Sequence, residues 1–434
     1  MTIRTTLHTA GIAALALGGA CRPDAAAPAG ALTVEDLATP TSAASAAVDA
    51  TPVRVPDTGA LAMTWLSRDT AGWRLLFSRS ADGGTTWDAP VIVTPEAGDA
   101  TPQSEGSPRL VAATNGRLAV VWPRAVTVPG RQWPATIIRA ARSRDGGRTW
   151  EAPRTLNDDT TGTAGTHTFH GAAWAGDSGL VAAWLDERNG TPVGHSRPLP
   201  ETAGEPTSEP DVRIYTAVSR DFGATWAPNA PAWGAVCPCC RVSLARRPDG
   251  GVVAAWRQHF PGNVRDIVTA QLDPAPQDPA RVHADNWSYP GCPHTGPAIA
   301  IDAEGTGHVA WYTGKEGGAG VYYARVGGAD SLRPAVGLTV AASMQTAHPA
   351  VIALPAGGAL VAFDVGEKGG REIRLTRLGP DGEVLGVQTV AGSAGGRNPQ
   401  LALAGDGAAL LAWTAPGGER DDGTVRLARI SLAR

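Results

Sequence analysis

The sequence predicts an all-β chain built from repeated four-stranded units, and three observations predict it. Gly (54) and Pro (35) are abundant in the 434 residues, while long helix-forming runs are missing, which favours short strands joined by tight turns. A unit of apolar strand, Asp/Gly turn and apolar strand ending in an aromatic recurs, as in "SPRLVAATNGRLAVVW" (107–122), "RVSLARRPDGGVVAAW" (241–256), "GPAIAIDAEGTGHVAW" (296–311) and "HPAVIALPAGGALVAF" (348–363). The closing aromatics are Trp65, Trp122, Trp184, Trp256, Trp311, Phe363 and Trp413, spaced 50 to 72 residues apart. An octet Ser-x-Asp-x-Gly-x-Thr-Trp occurs three times, as "SADGGTTW" (80–87), "SRDGGRTW" (143–150) and "SRDFGATW" (219–226). Repeats of this length with four strand signals each are the signature of β-propeller blades.

Taken in order, the chain opens on a targeting segment, residues 1–20. Arg4 gives a positive start, "AGIAALALGGA" (10–20) is a short apolar run, and Cys21 follows small residues. The run is too short to span a bilayer. It resembles a bacterial lipobox in which Cys21 is lipidated and becomes the mature N-terminus, although Gly18 stands where Leu is usual. Residues 21–48 read as a tether poor in large apolar groups, with "ALTVEDLAT" (31–39) offering a closing strand at 31–37. A single propeller domain then fills 49–434. Each unit has an inner hairpin (strands A and B) and an outer one (C and D), and the octet connects C to D. Seven A–B hairpins give seven blades, with six as the alternative. The last unit, "TVRLARISLAR", supplies a strand C but no D. A long insertion at 189–211 is placed to act as a lid. Export to the periplasm or cell envelope follows, with the N-terminal lipid as the only membrane contact. A net charge of −4 and only two lysines, Lys315 and Lys368, exclude a nucleic-acid partner, and a monomer is expected.

Within the octet, Gly takes a backbone conformation other residues resist, the Asp accepts backbone N–H groups of the turn, and the Trp packs back on the blade. Asp82, Asp145 and Asp221, with Trp87, Trp150 and Trp226, are therefore structural. The octets resemble the Asp-box (BNR) motif of the sialidase superfamily. That resemblance implies three clamp arginines, a Tyr nucleophile polarised by Glu, and an Asp acid/base. The nearest clamp segment is "VRVP", and its Arg54 lies inside strand A. Asp69, in "SRD", is the acid/base candidate; Tyr289 and Tyr312 lie in loops expected on the active side, with Glu316 near the latter. None of these forms the family's local motif. A non-hydrolytic binding protein is the preferred reading, an exo-sialidase-type glycoside hydrolase the alternative, and an envelope scaffold with structural disulfides the second alternative.

The unusual stretches are "VCPCCR" (236–241) and "GCPHTGP" (291–297). Aligned on the blade Trp residues, Cys237 is equivalent to Cys292 and Cys239 to His294, all in D-to-A loops of adjacent blades. The same register brings His170 and His348 near that mouth as outer candidates. One reading is disulfide stapling. A second is a metal site: Cys237, Cys239, Cys292 and His294 suit tetrahedral Zn or soft Cu(I). A third is a reactive thiol at Cys240, beside Arg241. Arg241, Arg257, His259, Arg265, Asp266 and Asp186 cluster on the same side as candidate contacts for a glycan or small molecule. The segments also resemble a group of uncharacterised exported bacterial Asp-box proteins that share Cys-x-Cys-Cys and Cys-Pro-x-x-Gly-Pro-Ala, which implies the fold and no activity.

Overall fold

The computed structural model describes residues 32–41, 45–103, 105–128, 134–159, 166–188, 211–327, 334–341, 347–367, 370–405, 407–417 and 422–432. They form seven four-stranded antiparallel sheets, and strand A of every blade packs on strand A of the next, the last against the first. The fold is a seven-bladed propeller. Blades one to six are continuous in sequence and span 46–92, 109–155, 167–233, 243–281, 298–341 and 349–389. Blade seven takes strands Arg397–Leu403, Ala408–Pro416 and Gly423–Leu432, and its outermost strand is Leu32–Leu37, paired antiparallel from Leu32↔Leu432 to Leu37↔Leu427. The first described strand thus joins the last, and the ring closes through both ends of the chain. Blade one begins at Ala46, within the segment read as tether. The targeting segment 1–20, Cys21 and the lid segment other than Asp211 lie outside the described residues.

A blade is covered on both faces by its neighbours, so its B strand reads as a continuous apolar run: every residue of Leu61–Leu66 is buried. The seven recurring aromatics are each at most 1 % exposed and sit in the apolar seams between blades. Burial of each such side chain contributes on the order of 1.5–3 kcal/mol.

The octets are the C-to-D turns. In the second, the Ser143 hydroxyl bonds Asp145 Oδ1 at 2.8 Å, and Thr149 donates its N–H (3.0 Å) and its hydroxyl (2.6 Å) to the Asp145 carboxylate. The turns at Asp82 and Asp221 repeat this pattern. Thr86 accordingly holds the Asp82 carboxyl down to about 2. Gly147 sits at φ +88, where an added Cβ would lie 2.1 Å from Phe77 Cε1 of blade one. The motif therefore both closes its own turn and seats it against the preceding blade.

Candidate metal centre

The loops and bulges around strands A bring the chain's own polar groups together in a buried plug. Glu105, in the loop before strand A of blade two, is fully buried. It accepts from Arg241 Nη1 at 2.9 Å, the Arg241 N–H at 3.2 Å and the Gly296 N–H at 2.5 Å, and stands 3.7 Å from His348 Nε2. His348 Nδ1 bonds Asp364 at 2.9 Å; Asp364 also pairs with Arg371 at 2.9 Å and accepts the Asn398 N–H at 3.3 Å. Asn398 Nδ2 in turn reaches Asp49 at 3.2 Å. The network runs through blades two, four, five, six, seven and one. Asp49 (φ 57) and Asn398 (φ 52) lie at bulges in strand A that turn them into this ring. Arg241 and Gly296 donate to the same oxygen, so the register drawn between their loops from the Trp positions is the spatial one. Gly is required there: a Cβ at Gly296 would lie 2.5 Å from the Arg241 carbonyl oxygen.

Burial opposes a charged His348, but the Asp364 and Glu105 carboxylates outweigh it, and Arg241, and raise its pKa. A His whose pKa is raised on folding contributes stability that is complete below about 6.5 and is lost as pH rises through the folded value. The propeller should therefore weaken on the alkaline side of about pH 6.5. His348→Gln should flatten that slope in thermal melts; an unchanged slope would place its origin elsewhere.

Beside this plug lie the thiols. Backbone contacts fix their loop: the Cys237 N–H bonds the Arg257 carbonyl at 2.9 Å, and the Val242 N–H bonds that of Phe169 at 2.9 Å. Cys237 Sγ is 3.8 Å from Cys239 Sγ and 3.6 Å from Cys240 Sγ. A tetrahedral site with metal–sulfur bonds of about 2.3 Å has edges of about 3.8 Å. Cys239 Sγ, Cys292 Sγ and the His294 ring form a second triad, with all ligand atoms within 4.8 Å of one another. Cys237, Cys239, Cys240 and Cys292 are all free thiols here, the first three buried and Cys292 exposed. His294 has φ +48, a left-handed backbone uncommon outside glycine, and meets Phe169 edge-on.

Two buried guanidiniums lie beside these loops, and that of Arg265 touches sulfur. Arg265 Nη1 donates to Cys237 Sγ at 3.2 Å and its Nε to the Tyr289 carbonyl at 2.7 Å. Arg257, 1 % exposed, lies over Trp287 and donates to the carbonyls of Thr295, Arg265 and Tyr312. Among the described residues neither forms an ion pair with a carboxylate. Hydrogen bonds with Cys239 and Cys240, helped by Arg265 and Arg257, pull the Cys237 thiol well below its ordinary range. Cys292 is lowered by its contact with Cys239. Cys239 is pushed up by the neighbouring thiols, and Cys240 by burial and Cys237.

Several sequence expectations need correcting. Cys240 is not an Arg241-activated thiolate, because Arg241 is turned to Glu105 and the Cys240 thiol is raised. Arg241 and Arg257 are buried with their donors committed internally, so they hold loops rather than present themselves to a ligand. Arg265 is likewise committed to Cys237 and Tyr289. Asp266 is fully buried and accepts from Asn286 N, Trp287 N and Arg281. Asp186 is held by Trp184 Nε1 at 2.8 Å and by Arg188. His259 is half-buried and bonds Asn263. Of the outer histidines, His170 Nε2 bonds the Val121 carbonyl at 2.9 Å, with its pKa pushed to about 3 by burial and Arg109, and His348 belongs to Asp364. Neither joins the sulfur triads. The hydrolase candidates are dispersed. Asp69 caps its own hairpin through Ala71 N and Gly72 N, Tyr312 is buried edge-on against Trp287, and Glu316 is exposed. Arg54 lines a cavity of about 380 Å³ with Arg246 and Trp174, where strands A end on the side away from the thiols. Sequence reasoning missed Glu105, although it stands 17 residues before Trp122, as Cys239 and His294 stand 17 before Trp256 and Trp311.

Residues 67–271 match the BNR repeat-like domain. No curated protein matches. A protein of unknown function from Dyadobacter fermentans is similar in structure, with TM-score 0.51 and 14 % identity over 92 % of this chain and 99 % of that one. The NanB sialidase of Streptococcus pneumoniae aligns with TM-score 0.48 at 9 % identity, covering 92 % and 94 %. The GH93 α-L-arabinofuranosidase of Fusarium graminearum, in complex with arabinobiose, aligns with TM-score 0.46 at 15 % identity, covering 92 % and 96 %. The chain is a seven-bladed β-propeller whose residues 67–271 are similar to the BNR repeat-like domain.

Proposed function

We propose that this propeller is a non-hydrolytic, soft-metal-binding protein of the bacterial cell envelope, exported and held there by a lipid on Cys21. One observation carries the reading: four free thiols and an imidazole from two adjacent blades converge beside two buried guanidiniums that no described carboxylate neutralises. Buried charges need partners, and thiolates on Cu(I) or Zn(II) supply them. The loops that lead into strands A, where a glycan would be expected, carry the buried Glu105–Arg241–His348 network. Among the described residues the Tyr, Glu, Asp and Arg of the hydrolase reading are not gathered.

The test is elemental analysis beside a denatured thiol count on protein purified anaerobically without added metal. Stoichiometric Cu or Zn with all four thiols reactive after metal removal is expected. Cys237→Ser should remove at least half of the bound metal, and His294→Asn should lower it without touching the sulfur loop. Absent metal with fewer than two reactive thiols would make the cysteines staples and favour a scaffold. Turnover of an aryl sialoside would restore the hydrolase reading.

A further inference from the structure

The five donors do not make one coordination shell. They fall into two triads, Cys237/Cys239/Cys240 and Cys239/Cys292/His294, and Cys239 is the member of both. A single tetrahedral ion takes four donors, each about 3.8 Å or less from the others, and leaves one of these five unused. The triads also differ in access. The first is closed, with its cysteines 1 %, 3 % and 1 % exposed, whereas the second has exposed Cys292 and half-buried His294 on its outer side.

Resting on the metal reading above, we propose that the centre holds two Cu(I)-class ions bridged by the Cys239 thiolate, one in a closed inner position and one in an open outer position. Thiolate sulfur has lone pairs for two soft ions and accommodates three-coordinate Cu(I). Charge fits as well. Four thiolates with two monovalent ions leave two negative charges, and the two guanidiniums beside them, Arg257 and Arg265, supply two positive ones. A lone Zn(II) on four thiolates balances equally, so geometry rather than charge separates the two. The open triad is where an ion arrives from a donor, and the shared Cys239 gives it a route inward without release to solvent.

The experiment is an anaerobic titration of the whole reduced protein with Cu(I), read by native mass spectrometry and by X-ray absorption at the Cu edge. Two Cu per chain with a short Cu–Cu vector are expected. His294→Asn, chosen because Asn tolerates the left-handed backbone at this position, should leave one Cu and remove the vector. It should also slow uptake from a Cu(I) chelate at least tenfold. Cys240→Ser, on the other side of the bridge, should likewise leave one Cu, but with uptake as fast as wild type. One ion in a four-donor shell, or two ions without a Cu–Cu vector, would overturn the bridged pair while leaving metal binding intact. No bound Cu(I) or Zn(II) at all would overturn the metal reading itself.

Discussion

Glu105→Ala should destabilise the metal-free propeller by about 3–5 kcal/mol, the range for removing one partner of a buried ion pair. The carboxylate accepts from a side chain and a backbone N–H of blade four and a backbone N–H of blade five, and faces His348 of blade six. Its loss strands Arg241 beside Arg109, whose own pKa falls to about 10 through burial and that neighbouring charge. Glu105→Gln should cost less, because an amide oxygen still accepts one hydrogen bond. Pairing Glu105→Leu with Arg241→Met should recover part of the loss, since apolar replacement of a whole buried pair is often neutral. Urea unfolding of the wild type and these three variants checks this. A Glu105→Ala cost under about 1 kcal/mol would mean that the blades are held by their apolar seams alone.

The fold was legible because its determinants are local and periodic. Trp65 to Trp413 mark strand B of each blade, and an aromatic there has no alternative but the inter-blade seam. The octets are legible for the same reason: Asp145 finds its partners, Ser143 and Thr149, within four residues. The thiol centre was half legible. Cys and His are rare enough that two Cys-containing loops in one register stand out, and Cys239 does meet Cys292 and His294, whereas Cys237 meets Cys239 in a separate triad with Cys240. The division into two triads depends on how the loops fold in three dimensions and is not written in spacing. Glu105 was hidden because a lone Glu in "QSEGSP" reads as a solvated loop residue, and its partners lie 136 and 191 residues away. The arginines were misjudged in the same way. Arg241 and Arg257 resemble ligand contacts until the carbonyls and the carboxylate around them are seen.

Arg257→Met should cost about 4 kcal/mol and weaken metal binding as well. Three buried carbonyls, of Thr295, Arg265 and Tyr312, lose their donors together, and each buried acceptor left unpaired costs roughly 1–3 kcal/mol, only partly additive. Two of these carbonyls border the thiol centre: Thr295 follows His294, and Arg265 carries the guanidinium on Cys237. The loops on both sides of Cys239 therefore loosen at once. A double-mutant cycle with Cys237→Ser separates carbonyl capping from charge. If the sulfur cluster is the counter-charge for Arg257, removing both should cost about 1–3 kcal/mol less than the two single losses combined, because neither variant then leaves an unbalanced buried charge. Additive losses would confine Arg257 to tying backbone. Coupling that grows when Cu(I) is bound would identify the metal–thiolate cluster, rather than the free thiols, as the anion that this buried guanidinium is built to meet.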